Sequence, residues 1–314
     1  MPVGKERKAI IVGSSGQDGR HLCLLLAKLD YDVTAVTRNT LDITNRGAVQ
    51  ALIESVRPHE VYLLAAYHHS AESAVESDAV LFEKSMATHA TATVYFLDAI
   101  ARIACGTRLF FASSSHIFAD AGTQLISEAS VPQPTNIYAI TKYGGMLACR
   151  YYRERLGVFA SCGILFNHES SLRPSHFLSR KISIAVARIA RGLDDSLTLG
   201  NLDAMVDWGY APDYVDAMHR ILQMKSPSDF IVATGRAHTV RDFAEIAFRH
   251  AGLDYRDFVR VHSGVLTKNV ETRIGDSSRL RRETGWKPTV SFDEMVATMV
   301  RLEISALSAE QTGS

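Results

Sequence analysis

No stretch of the 314-residue chain approaches the roughly 18 consecutive apolar residues that a membrane-crossing helix needs, so the sequence predicts no span. The N-terminal MPVGKERKAIIVG lacks the longer apolar core of a secretory signal. Charge of one sign is missing too: 34 basic residues face 34 acidic ones. That balance argues against nucleic acid as a partner, and no polybasic cluster suggests a membrane surface. Cysteine is scarce. Cys23, Cys105, Cys149 and Cys162 lie far apart with no CxxC pair, the pattern of free thiols in a reducing compartment. No His/Cys/Asp spacing suggests a metal, so none is expected. These absences leave a cytoplasmic enzyme acting on a small ligand as the expectation.

What is present is an alternation. KAIIVG (8–13), YDVTAVTR (31–38), EVYLLAA (60–66) and TRLFFASS (107–114) read as strands. Between them lie helical patterns in DGRHLCLLLAKLD, at 48–58 and at 82–103. Near-continuous apolar strands in a βαβ rhythm predict an α/β fold, a Rossmann-type doubly wound parallel sheet covered on both faces. After about residue 167 polar segments interrupt helices at 177–193 and 212–224. The division expected is a dinucleotide-binding part over 1–166 and a smaller, mainly substrate-binding part over 167–314, with some segments returning to the first.

The first turn, GSSGQDG, places Gly13, Gly16 and Gly19 between a strand and a helix. Glycines there let the backbone approach a pyrophosphate, and the helix start behind them offers N–H groups and a positive dipole end. Gln17 and Asp18 belong to the same turn. The second strand ends in Arg38 rather than an acidic residue, which suits a 2′-phosphate and favours NADP over NAD. Asp42 and Ile43 are expected to border the adenine, and Ala65 and Ala66, closing the third strand, to line the cofactor.

Tyr138 and Lys142 stand four residues apart, one helical turn, on one face. An ammonium beside a phenol lowers its pKa, letting the phenol exchange a proton with a substrate oxygen that Ser114 also holds.

With these motifs the chain resembles the extended short-chain dehydrogenase/reductases that modify nucleotide sugars, and among them the GDP-mannose 4,6-dehydratases. GSSGQDG, EVYLLAA, YAITK, GILFNHESSLRPSHFLSRKI, LGNLDAMVDWGYAPDYV and IGDSSRLRRETGWKP carry the likeness. The resemblance implies bound NADP that takes hydride from sugar C4, loss of water across C5 and C6, and return of hydride at C6. It implies a homodimer or homotetramer, and a GDP-linked substrate. It assigns Ser114 to the family's threonine, Tyr138 to the C4 acid/base and Lys142 to its partner. Asn167 and Lys181 match contacts to the nucleotide sugar, with Glu169 and Arg173 beside them.

The departures shape the functional expectation. The family carries a glutamate two residues after its threonine, and this chain has His116. A histidine titrates near neutrality and can move a C5 proton. Related epimerase/reductases add a histidine in a loop beyond the Asn of the next strand, and His176 stands at about that place. An epimerase or 4-keto-sugar reductase is therefore the alternative activity, and a catalytically silent NADP-binding protein the rival of another class. The arginine usual before Asp-Trp is replaced by Val206, and Leu266 stands near a second missing arginine. Arg173, Lys181, Lys268 or Arg273 are candidates to hold the diphosphate instead. His68 and His69, after the third strand, are candidates for substrate contact.

Overall fold

The computed structural model describes residues 7–67, 76–262 and 271–312. From its start the chain forms β1 (Arg7–Val12), α1 (Gln17–Lys28), β2 (Tyr31–Val36), α2 (Arg46–Val56) and β3 (Glu60–Leu63). It continues through α3 (Asp78–Met86), a π-helical turn (Ala87–Thr91), α4 (Ala92–Ile103) and β4 (Arg108–Ser114). A 3-10 turn (Ser115–Ile117), β5 (Leu125–Ile126), α5 (Ile137–Leu156) and β6 (Phe159–Leu165) follow. Next come β7 (Asn167–Glu169), α6 (Leu178–Ala190), β8 (Leu197–Leu199), β9 (Met205–Tyr210), α7 (Ala211–Leu222) and β10 (Asp229–Val232). The last elements are β11 (Ala237–Thr239), α8 (Val240–His250), α9 (Tyr255–Phe258), β12 (Val259–Val261), β13 (Ile274–Gly275), α10 (Ser278–Thr284) and α11 (Phe292–Thr312).

Among the described residues, six strands make one parallel sheet in the order β10-β6-β4-β3-β1-β2. This is the doubly wound Rossmann-type sheet that the βαβ rhythm predicts. Its strands are apolar on both faces because helices cover both: Ile10, Ile11, Tyr62 and Phe110 are all fully buried. Each such side chain contributes about 1.5–3 kcal/mol by leaving water. Strand order reverses beside β1, with β2 on one flank and β3 on the other. Sheets of this kind bind ligands at that switch, beyond the carboxyl ends of the strands.

Turn chemistry sets the helix boundaries. Asn45 caps α2 by accepting from Ala48 N, and Arg57 ends it in a left-handed conformation just before Pro58. The predicted single helix over 82–103 is instead α3, a π turn and α4 in continuous succession.

A second core gathers Ile182, Val186, Phe243, Phe248, Met295 and Met299 from α6, α8 and α11. Beside it lies a small sheet, β11-β9-β7, antiparallel at one pair and parallel at the other. The chain crosses back between the cores, since β10 completes the large sheet and α7 packs on α1. Trp286, 1% exposed, fastens this return by donating its indole N–H to Asp213 O at 2.8 Å. Among the described residues, no helix is long and apolar enough to cross a membrane.

Candidate active site

The glycine turn is built by close approach. Gly13 has φ +89°, and a Cβ there would lie 2.8 Å from Ala65 N. A Cβ on Gly19 would lie 2.3 Å from Gly13 O and 2.6 Å from Ser14 Cα, so only hydrogen fits where α1 crosses the turn. Gly16 is the N-cap of α1, and no side chain caps that helix. Its first-turn N–H groups are thus left for an anion, which is what a dinucleotide pyrophosphate requires. Arg38 lies two residues past β2 and is exposed, with its guanidinium 5.7 Å from the Tyr67 ring centroid. Asp42 accepts from Thr44 Oγ1 at 2.7 Å and Thr44 N at 2.9 Å, and these bonds hold its carboxyl below the usual range. Ile43 packs half-buried against the main core, and Ala65 and Ala66 form the half-buried exit of β3.

Gln17 and Asp18 turn their side chains inward, toward β7. Gln17 Nε2 donates to His168 O at 3.0 Å, and Asp18 Oδ2 meets His168 Nε2 at 2.9 Å. Burial alone would raise Asp18, but the charge and hydrogen bond of His168, with Arg173 and Gln17, outweigh it and hold the carboxyl at about 2. Burial alone would lower His168, and Asp18 reverses that, raising the imidazole.

At the carboxyl end of β4, Ser114 is 8% exposed and accepts from His116 N at 3.3 Å, which opens the 3-10 turn. Across the cleft, Asn136 caps α5 by accepting from Ala139 N at 3.0 Å, so Tyr138 falls in the first turn. The exposed His116 ring meets the Tyr138 ring edge-on, centroids 6.1 Å apart at 90°. Lys142, one turn along and 2% exposed, donates to Ala112 O at 2.8 Å, its Nζ 5.8 Å from the Tyr138 centroid. Ser114, His116, Tyr138 and Lys142 are therefore neighbours.

The electrostatics differ from the sequence expectation. Burial pushes Tyr138 up to about 12, against the opposing charge of Arg173 and a hydrogen bond with Ser114. Burial likewise pushes Lys142 down to about 7. In this cleft, desolvation of both groups outweighs the attraction by which an ammonium lowers a neighbouring phenol.

His89 was invisible to sequence reasoning. It sits fully buried in the π turn, its ring 5.3 Å from that of Tyr138 at 84°. His89 Nε2 accepts from Tyr67 N at 2.8 Å, so the ring proton is on Nδ1, which donates to Thr141 Oγ1 at 2.8 Å. It thus ties the exit of β3 to the helix carrying Tyr138. An irregular helical turn is a signal visible only in three dimensions.

Of the residues expected to take the substrate, Asn167 opens β7 half-buried, while Glu169, 2% exposed, accepts from Ser179 Oγ at 2.6 Å and pairs with Arg173 at 3.3 Å. The Arg173 guanidinium also lies 3.8 Å from the Phe177 centroid. His176 is exposed, its ring tilted at 34° beside that of Phe177 with centroids 4.5 Å apart. Lys181 borders a groove of about 350 Å³ between α6 and β8, with Ser175, Arg188, Ser196 and Thr198. Val206 is half-buried against the second core, and Arg273 is engaged by Phe118 O at 2.7 Å and by Glu271. His68, His69, Leu266 and Lys268 lie outside the described residues. A larger cleft, about 880 Å³ between β9, β11, α8 and the start of α11, contains none of the predicted site residues. Among the described residues, no three His, Cys, Asp or Glu gather as a metal site.

Known proteins can be set beside this geometry. The family profile described as GDP-mannose 4,6 dehydratase matches residues 39–299. A GDP-mannose 4,6 dehydratase of Drosophila melanogaster is 34% identical, the alignment covering 96% of this chain and 87% of that protein. The Homo sapiens GDP-mannose 4,6 dehydratase is 31% identical, with 97% and 94% covered. Among solved structures, RMD from Pseudomonas aeruginosa complexed with NADPH superposes with a TM-score of 0.83 at 19% identity, over 96% of this chain and 99% of that one. A Thermus thermophilus UDP-glucose 4-epimerase in complex with NAD gives 0.80 at 21% identity, over 95% and 99%. Those two likenesses establish the fold. With the profile spanning most of the sequence, and relatives above 30% identity aligned over nearly all of it, this chain belongs to the GDP-mannose 4,6 dehydratase family.

Proposed function

We propose that this protein is an NADP-dependent nucleotide-sugar 4,6-dehydratase acting on a GDP-linked hexose, with His116 as the proton carrier of the elimination step. The observation that carries this reading is the grouping of Ser114, His116, Tyr138 and Lys142 at the mouth of β4 and the first turns of α5. The uncapped start of α1 behind Gly13, Gly16 and Gly19 fits the dinucleotide pyrophosphate, and Arg38 suits the 2′-phosphate. When bound, the nicotinamide supplies the hydride acceptor at C4 and the hydride donor at C6.

The remaining chemistry falls to side chains. Ser114 donates a hydrogen bond to the C4 oxygen, and Tyr138 takes the proton of that oxygen as the C4 carbonyl forms. The carbonyl is kept in the product, and the proton held by Tyr138 balances the one that C5 regains as C6 is reduced. Tyr138 must give up its proton to begin, and against the burial that opposes this the charge of Arg173 and the hydrogen bond with Ser114 favour the phenolate. His116 takes the C5 proton, made acidic by the C4 carbonyl, and returns it to the departing C6 hydroxyl. The proton removed at C5 therefore leaves in the water, and the step balances. Asn167, Arg173 and Lys181 are assigned to the nucleotide and diphosphate, Glu169 to holding Arg173, and His176 to the sugar.

His116 also favours a second reading. If His116 takes the C5 proton and a second group such as His176 delivers one to the opposite face of that carbon, the product is an epimer and no water is lost. Incubation with GDP-mannose and NADP, read by mass spectrometry, separates the two: a product lighter by about 18 mass units is expected, as loss of one water. An isomeric product points to epimerisation, and no conversion of GDP-mannose refutes the proposed substrate. His116→Ala is expected to retain NADP while losing on the order of 10²–10⁴ in kcat.

A further inference from the structure

The dinucleotide turn and the substrate strand are wired together through groups that the proposed chemistry does not use. His168 stands between Asn167 and Glu169 on β7 and is 8% exposed. One ring nitrogen, Nδ1, lies 2.7 Å from Phe166 O, and the other, Nε2, lies 2.9 Å from Asp18 Oδ2. A carbonyl and a carboxylate only accept, so both nitrogens carry hydrogen and the ring is an imidazolium. Its flat face stacks on Tyr214 of α7, centroids 4.5 Å apart and 19° from parallel. The ring is thus fixed in its plane by two hydrogen bonds and held from above by a fully buried aromatic.

Two further bonds run parallel to this one. Ser170 Oγ donates to Gln17 Oε1 at 2.9 Å, while Gln17 Nε2 donates to His168 O at 3.0 Å. Because the Ser170 hydroxyl proton is engaged by Gln17, the His21 Nε2 contact to Ser170 Oγ at 3.0 Å is a donation from His21. Gln17, Asp18 and His21 all belong to α1, whose start receives the pyrophosphate, and His168 and Ser170 belong to the segment carrying Asn167, Glu169 and Arg173. A shift of the first turn of α1 is therefore a shift of β7.

We propose that Asp18 and His168 are a positioning pair that couples the two ligand sites, so that the dinucleotide and the nucleotide sugar each bind more tightly when the other is present. Linkage makes that effect equal in both directions. The inference rests on the functional reading above, which puts the dinucleotide at α1 and the sugar nucleotide at β7. The charge of Asp18 also reaches the catalytic couple, where it raises both Tyr138 and Lys142.

The test uses the purified full chain and calorimetric titration with NADP, alone and with saturating GDP. In the wild type, GDP is expected to tighten NADP at least about 5-fold, the lower end of ordinary coupling. Asp18→Asn and His168→Gln are expected to bring that factor below about 2, while NADP affinity measured alone changes less. A merely structural role would move thermal stability and both affinities together but leave their ratio intact. A wild-type factor of 1 overturns the proposal whatever the variants do, as does a full factor retained in either variant. Wild-type protein that binds neither NADP nor GDP removes the functional reading itself, a result distinct from binding without coupling.

Discussion

Replacing Lys142 with methionine should make the protein more stable, and pH should control by how much. The ammonium ordinarily titrates at 10.5, and burial brings it down to about 7. At pH 6, folded and unfolded chains both carry the charge, and holding it in the folded site costs about 4–5 kcal/mol. Between pH 7 and 10.5 the unfolded chain binds a proton that the folded chain lacks, so stability rises with pH across that window. By pH 9 the cost is about 2 kcal/mol, and above 10.5 it is gone. Methionine fills a similar volume without charge, but orphans Ala112 O, the acceptor at 2.8 Å, at about 1 kcal/mol. The net gain is about 3 kcal/mol at pH 6 and about 1 kcal/mol at pH 9. Thermal unfolding of cofactor-free protein reads this directly, and at about 2 °C per kcal/mol the melting point should rise by about 6 °C at pH 6. If the proposed function holds, the same variant should also be inactive, the usual opposition of stability and function at a working site. A variant that melts lower than wild type at pH 6, or whose advantage is the same at pH 6 and pH 9, refutes the claim that the cation beside Tyr138 costs more by burial than its contacts return.

Gly19→Ala should cost about 1–3 kcal/mol by denaturant titration, because its Cβ meets the Gly13 carbonyl at 2.3 Å and backbone cannot step aside. Gly16→Ala, with φ −72° and nothing nearer than 3.4 Å, should leave stability unchanged within about 0.5 kcal/mol, and equal losses at the two positions would contradict the packing. Arg38→Ala should weaken NADP about 10-fold, or about 1.4 kcal/mol, and leave NAD unaltered in parallel fluorescence titrations. Equal weakening of both would remove Arg38 from the 2′-phosphate.

What could be read from the sequence is what depends on near neighbours. GSSGQDG lies between a strand and a helix, and Tyr138 and Lys142 share a helical face because four residues make about one turn. Both patterns survive any detail of packing. Three features escaped for one reason, that they are made by residues distant in sequence. His89 meets Thr141 across 52 positions, and Asp18 meets His168 across 150. The pKa order of Tyr138 and Lys142 is the third. Adjacency along α5 suggested a lowered phenol, but the sequence cannot count the apolar groups around each side chain, and that desolvation decides the sign. Gln17 and Asp18 show the same limit: the glycine pattern locates them, and only the fold shows their side chains turned toward β7.

The two buried cations of the site share a mode of support that follows from the sheet. Lys142 donates to the carbonyl of Ala112, near the end of β4, and His168 to that of Phe166, one residue beyond β6. β4 and β6 are adjacent and in register from Arg108 and Phe159 to Ser114 and Leu165, so both carbonyls emerge at the same edge of the sheet. Strand ends held by ladder hydrogen bonds are stiff, whereas loop acceptors wander. A cation anchored to such an edge is oriented before any ligand arrives, so little reorganisation remains when the substrate binds. The charged groups of this cleft are therefore positioned by the strands most deeply buried in the fold, and the cost of burying them is what holds Lys142 near neutrality, where it can lose or regain its proton.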